Sequence, residues 1–132
     1  FAAWRTFRIE QRFGFNRTTP RLFVVDTPAA TAIATRLDPQ AVVIVRDGPR
    51  GCVVREGEHT TYLAGFPQTP LDTNGAGDCH TGILLAERAL GTGWGKAARR
   101  ANAGAAIKVT RRGPSSAPTR AEIDDFLRAQ LG

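Results

Sequence analysis

The run Gly75-Ala76-Gly77-Asp78 stands where a polar loop passes into an amphipathic segment, and its residue types and spacing could do chemistry. Glycines let the main chain come close to a ligand. The first turn of a helix carries N–H groups without intrahelical partners, and the macrodipole adds roughly half a positive charge there. Such a turn attracts an anion. An aspartate inside it is not explained by anion binding, since it would repel a phosphate. It makes sense as a base that takes the proton of an attacking hydroxyl. Phosphoryl transfer needs both parts, positive dipoles around the moving group and a base beside the nucleophile. An aspartate in a first turn also stabilises a helix by roughly 0.3–1 kcal/mol without any chemistry, and the local pattern leaves both roles open.

Competing motifs fail. Gly95-Lys96-Ala97 has Leu90 where a P-loop needs glycine, and no Ser or Thr follows the lysine. Gly75-Ala76-Gly77 has His80 at the third glycine position of a dinucleotide fingerprint. The adjacent Cys79 and His80 have as further soft ligands just Cys52 and His59, so no metal centre is expected from them. Cys79 is expected to be a small buried residue and His80 a packed or solvent-edge one rather than a catalyst.

The surrounding pattern supplies the elements that must hold this turn. Leu22-Phe23-Val24-Val25 reads as a short strand. Thr27-Pro28 reads as a cap and first turn of a helix ending near Leu37, which Asp38-Pro39 stops. Ala41 to Val45 is an unbroken apolar, β-branched run that suits a strand covered on both faces, as in a parallel sheet. Gly48-Pro49-Arg50-Gly51 is a tight turn. Residues 52–55 and 60–63 flank Glu56-Gly57-Glu58 as a hairpin. A helix after Asp78 presents Cys79, Ile83, Ala86 and Leu90 on one face. An Ala-rich helix from about Lys96 to Val109 follows. Thr119 and Glu122 have capping-box spacing and open a last amphipathic helix.

Composition bounds the rest. The 132 residues, 42% of them hydrophobic, suffice for one domain. No apolar run approaches the roughly 20 residues that cross a bilayer, so a membrane-spanning helix and a membrane partner are not expected. Two cysteines exclude a disulfide scaffold. The net charge of +6 is concentrated near the start, where Arg5, Arg8, Arg12, Arg17 and Arg21 face Glu10 alone. Such an arm reads as a solvated segment or, with less support, as a nucleic-acid contact. No secretory pattern opens the chain, which fits a cytoplasmic protein. With Phe1 first and no methionine, the chain is expected to be processed, cut or partial.

Asp72-Thr73-Asn74-Gly75-Ala76-Gly77-Asp78 resembles the C-terminal signature of the ribokinase-like (PfkB) carbohydrate kinases. Further features come in the family's order: Val42 to Val45 before Gly48-Pro49-Arg50-Gly51, Asn102 in an Ala-rich helix, then Val109-Thr110-Arg111-Arg112-Gly113 and Ala117-Pro118. The resemblance runs from about Ala29 to Leu131. It implies an α/β fold, the C-terminal part of a three-layer ribokinase-like domain with a mainly parallel sheet flanked by helices and one β-hairpin. It divides the chain into a basic segment, 1–25, outside the family, and a nucleotide-binding and catalytic part, 26–132.

The resemblance also implies transfer of the ATP γ-phosphate to a hydroxyl of a sugar or nucleoside, with Mg²⁺. Asp78 matches the family's catalytic base, and Gly75, Ala76 and Gly77 match its anion hole. Gly48 and Gly51 match turn positions near the nucleotide, and Asn102 one near the adenine. Asp72 and Asn74 match positions that in some members coordinate a monovalent cation such as K⁺, with Gly113 in the loop completing that site. Arg111 and Arg112 suit either a solvated edge or a nucleotide-side patch. His80 and Ile83 depart from the family, where an aromatic residue and a glycine are usual, and adjusted packing is expected. The Asn-x-x-Glu element linked with Mg²⁺ would fall near residues 8–15 and is not there. Family members are typically more than twice as long, so this chain is expected to be the C-terminal portion of a kinase that needs its N-terminal half or a second copy. The alternatives are a truncated remnant that at most binds nucleotide and a basic nucleic-acid-binding module.

Overall fold

A computed structural model of the chain describes residues 22–25, 36 and 38–132. The basic segment 1–21 and the helix expected up to Leu37, Arg36 excepted, lie outside the described residues. The described residues form two compact units, one of those up to Asp47 together with residues 52–62 and one of residues 48–51 with 63–132.

The first unit is built on a four-stranded sheet in the order β1-β2-β3-β4, with β1 Leu22–Val25, β2 Val42–Arg46, β3 Gly51–Glu56 and β4 His59–Ala64. β1 and β2 run parallel, with Leu22 opposite Val42. β2 and β3 run antiparallel, with Val42 opposite Glu56 and Arg46 opposite Cys52. The expected mainly parallel sheet is therefore met in β1–β2 and not in β2–β3. The reason is connection length: a parallel crossover takes a dozen or more residues, and the chain has room for one between β1 and β2 but not in the short turn between β2 and β3. Ala41, Val42, Val43 and Ile44 are all buried. Since neighbouring side chains in a strand point to opposite faces, this confirms a strand covered on both sides. The hairpin β3–β4 turns at Gly57-Glu58, as expected.

The second unit holds the helices α1 Ala76–Ala89, α2 Trp94–Val109 and α3 Arg120–Ala129. α1 and α2 pack closely because α2 presents small residues, with Ala97, Ala98, Ala101 and Ala103 all buried. At Gly104 a Cβ would stand 2.0 Å from Ile83 Cδ1. The bulk of Ile83 on α1 thus occupies the room that a missing side chain on α2 leaves. Glu87, 3% exposed, fastens the helices together. It accepts from Arg100 Nε at 2.8 Å, Arg120 Nε at 3.0 Å and Thr92 Oγ1 at 2.9 Å. Those partners hold its carboxyl at about 2, well below the ordinary 4.5, Arg120 contributing most. The Arg88 guanidinium lies 4.1 Å from the centre of the Trp94 ring. α3 opens on the expected capping box: Glu122 N donates to Thr119 Oγ1 and Thr119 N to Glu122 Oε2. Among the described residues no helix is long and apolar enough to cross a membrane.

Candidate functional site

The loop 71–75 reaches α1 along a path set by backbone polarity. The last carbonyls of an α-helix have no partner inside the helix. Here the Val109 carbonyl at the end of α2 accepts from Leu71 N at 2.7 Å and Asp72 N at 3.0 Å. Asp72 then organises the turn through its carboxylate. Oδ1 accepts from Asn74 N and Oδ2 from Gly113 N, each at 2.9 Å. These two backbone N–H groups, first Asn74 and then Gly113, lower the Asp72 carboxyl from its usual range, helped by the charges of Lys108 and Arg112.

Gly75 caps α1 with φ 80° and ψ 2°, a left-handed conformation that side chains with a Cβ adopt at a cost. A Cβ there would also stand 3.1 Å from Pro114 O. The first helical hydrogen bond closes from Cys79 N to Gly75 O at 2.9 Å. Asp78 therefore lies in the first turn, at the positive end of a 14-residue helix. Its side chain is exposed, and among the described residues nothing hydrogen-bonds or pairs with its carboxylate.

The expected nucleotide-side residues meet one another at a second place in the same unit. Gly48 to Arg50 form a single 3₁₀ turn. Arg50 O accepts from Gly65 N at 2.8 Å. Gly51, with φ 114°, lies so close to the returning chain that a Cβ would be 2.1 Å from Leu63 O. Asn102 joins this cluster from α2, donating from Nδ2 to Leu63 O at 3.1 Å and Ala64 O at 3.2 Å. Those donations fix its amide orientation, so Oδ1 is the atom facing His80 Nε2 at 3.0 Å, and Nε2 carries the proton. Asn102 is thus 6% exposed and committed to protein partners.

The residues outside the expected site fall into place physically. Of the two settings expected for His80 the structure shows the packed one, at 4% exposure, and its bond to Asn102 ties α1 to α2. Cys79 is half-buried rather than fully buried, and burial pushes its thiol up against the opposing charges of Lys108 and Arg111. Arg111 is held by Glu122 Oε1 at 2.5 Å, while Arg112 is exposed. No group of three or more His, Cys, Asp or Glu that could hold a metal occurs among the described residues. One residue was missed by sequence reasoning. Lys108 is 0% exposed, and its Nζ donates to the Asp72 carbonyl at 3.3 Å. A lysine in the last turn of an Ala-rich helix reads as a solvated charge, and no local signal marks it otherwise.

The sequence profile of the pfkB family carbohydrate kinases matches residues 21–120. The match takes in β1, so the family part begins before the boundary expected at residue 26. The bifunctional protein HldE of Rhodopseudomonas palustris (strain BisA53) is 37% identical over 98 residues, 69% of this chain and 20% of that protein. An Escherichia coli protein described as ribokinase II, solved in complex with ATP and Mg²⁺, superposes with a TM-score of 0.73 at 28% identity, over 95% of this chain and 44% of that one. The nucleoside kinase of Burkholderia thailandensis, solved with inosine, gives a TM-score of 0.71 at 26% identity, over 85% of this chain and 41% of that one. The chain thus spans about a fifth of the length of the HldE relative and under half of those kinases.

Proposed function

The chain belongs to the pfkB family of carbohydrate kinases, and from that premise we propose that it carries the catalytic turn for transfer of a phosphoryl group from ATP to a hydroxyl of a sugar or nucleoside. The observation that carries the reading is the exposed Asp78 carboxylate, uncommitted to any described residue, in the first turn behind left-handed Gly75. Asp78 accepts the proton of the acceptor hydroxyl, which makes that oxygen a better nucleophile. Gly75, Ala76 and Gly77 bring main chain and helix dipole against the developing negative charge. Gly48 and Gly51 shape the nucleotide-side turn. Asn102 acts by holding the strand end at Leu63 and Ala64 rather than by touching the base, because its amide is already used.

ATP would supply the transferred group, and Mg²⁺, when bound, would supply positive charge to its phosphates. Mg²⁺ in such sites would commonly keep phosphate and water oxygens as ligands beside one or two carboxylates. A monovalent cation is a different case. Asn74 and Gly113 meet the Asp72 carboxylate with N–H groups, and an ammonium already lies at the Asp72 carbonyl. Each Asp72 carboxylate oxygen thus already accepts one backbone N–H, and no step is assigned to K⁺. The acceptor contacts come from the rest of a full-length kinase or from a second copy of the chain, and the protein acts in the cytoplasm.

The test is a kinase assay on the natural gene product that carries these residues, with ATP and Mg²⁺ against a panel of hexoses, pentoses and nucleosides, beside ATP titration of the 132-residue chain alone. Acceptor-dependent ADP formation is expected from the former and saturable ATP binding from the latter. ATP binding without ADP formation on any acceptor would favour the non-catalytic remnant. Absence of both would remove the reading.

A further inference from the structure

We propose that Lys108 is a positioning residue for the Asp72–Asp78 turn: its buried ammonium holds the Asp72 carbonyl from below and supplies, from the chain itself, the positive charge that this turn needs. The role as positioning residue rests on the reading of that turn as the phosphoryl-transfer site; the hold on the turn does not.

Lysine is almost never fully buried without a partner, because an ammonium loses its hydration. Lys108 is nevertheless the largest fully buried side chain among the described residues, at 0% exposure. The hydrogen bond its ammonium makes among them is to Asp72 O at 3.3 Å. Leu71 N and Asp72 N bond to Val109 O, one residue further on. Consecutive residues of α2 therefore grip the two peptides on either side of Asp72 Cα, Lys108 through the Asp72 carbonyl oxygen and Val109 through the Asp72 amide hydrogen. The Asp72 carboxylate in turn fastens Asn74 N and Gly113 N. Its negative charge lies near the first turn, where an anion is to bind, and would work against that binding if left unbalanced. The Lys108 charge acts on both Asp72 and Cys79, the residues flanking the Gly75-Ala76-Gly77 run on either side. A fixed cation beneath the turn offsets Asp72 without the entropy of capturing an ion from solution.

The experiment uses the whole chain without any ligand. Lys108→Met keeps the stem and removes the charge. Amide hydrogen exchange at Leu71, Asp72, Asn74 and Gly113 is expected to rise about tenfold or more, the factor associated with losing one charge-assisted hydrogen bond. Exchange at Ala101 and Ala103 in the middle of α2 is expected to stay within about twofold. Lys108→Arg should restore slow exchange at the loop. A uniform rise through α1 and α2 would mean that the lysine merely supports the fold, and no change at the loop would mean that it does not hold it; either overturns the proposal.

A second measurement needs no variant. The chain's lysines are Lys96, exposed, and Lys108, buried. Acetylation under native conditions should therefore modify Lys96 at least about a hundredfold faster, as expected for a group reached only through opening of its surroundings. Equal rates would sink the proposal even if Lys108→Met did not fold. If exchange and acetylation behave as expected while the parent chain fails to bind ATP, the hold on the turn stands and the functional reading of the turn falls.

Discussion

Replacing Asp78 with asparagine separates a catalytic carboxylate from a helix-stabilising one. The side chain is exposed and meets no described partner, so the exchange breaks no ion pair and opens no cavity. What the fold loses is the interaction of one negative charge with the N-terminus of α1, about 0.3–1 kcal/mol. For a chain of 132 residues that corresponds to a fall in Tm of about 1–4 °C. A general base contributes about 10²–10⁴ in rate, or about 3–5 kcal/mol of transition-state stabilisation. Turnover should therefore drop by orders of magnitude in a protein whose melting curve hardly moves. ATP affinity should hold or tighten slightly, because a negative charge has left the anion site. The assay is coupled ADP production by the natural gene product with its acceptor saturating, beside calorimetric melting and ATP titration. Turnover within about fivefold of the parent would refute the base assignment, since general-base removal costs far more. A fall in Tm of about 10 °C or more would show that Asp78 holds the fold together, contrary to its exposed and unpaired geometry.

Gly75→Ala places a Cβ at a left-handed position and 3.1 Å from Pro114 O; it should cost about 2 kcal/mol, read from the denaturant midpoint, and weaken ATP binding with it. Glu87→Gln leaves the Arg100 guanidinium, 7% exposed, with Asp124 as its remaining carboxylate and should cost about 3 kcal/mol in urea unfolding. The parent should lose the Glu87 contribution in acid: its carboxyl stands at about 2 in the fold against an ordinary 4.5, so the unfolded state binds the proton first, and stability present above the ordinary value declines as pH falls towards the folded one. Urea midpoints between pH 6 and pH 3 should therefore fall less steeply in Glu87→Gln than in the parent. Gly104→Ala should destabilise through the clash with Ile83 Cδ1, and Ile83→Ala in the same chain should recover part of that loss, an interaction energy that a double-mutant cycle would expose.

The local structure was legible because it depends on short spacing. A Thr-x-x-Glu cap and an unbroken β-branched run each state their role within a few residues, and the Thr119 cap and the covered strand β2 follow those signals; an aspartate in a first turn reads equally as a helix stabiliser or a base. His80 and Ile83 were also readable as packing changes, since both lie on the helix face and not in the turn. The sheet was less legible. Whether β3 returns antiparallel is decided by the four-residue passage at Asp47 to Arg50, and the apolar run of β2 suits either neighbour. Asn102 and Lys108 were least legible. Both sit in an Ala-rich helix whose own pattern says nothing about the carbonyls of Leu63, Ala64 and Asp72 at sequence distances of 36 residues and more.

Those long-range contacts explain how one helix can serve both ends of the site. Asn102 and Lys108 stand six positions apart on α2, under two turns. Asn102 fixes the end of β4, against which the Gly48–Gly51 turn lies, and Lys108 with Val109 fixes the loop that delivers Asp78. His80, on the helix that Asp78 begins, closes the circuit through Asn102 Oδ1. A phosphoryl transfer site must keep nucleotide and base in register to a fraction of an ångström, and loops alone do so poorly. In the proposed site that register would be set by polar bonds from Asn102 and Lys108, buried positions of one helix. Cutting one of them should therefore misplace one end of the site and leave the other in place. Asn102→Ala should act first on the Gly48–Gly51 side, and Lys108→Met first on the Asp72–Asp78 side.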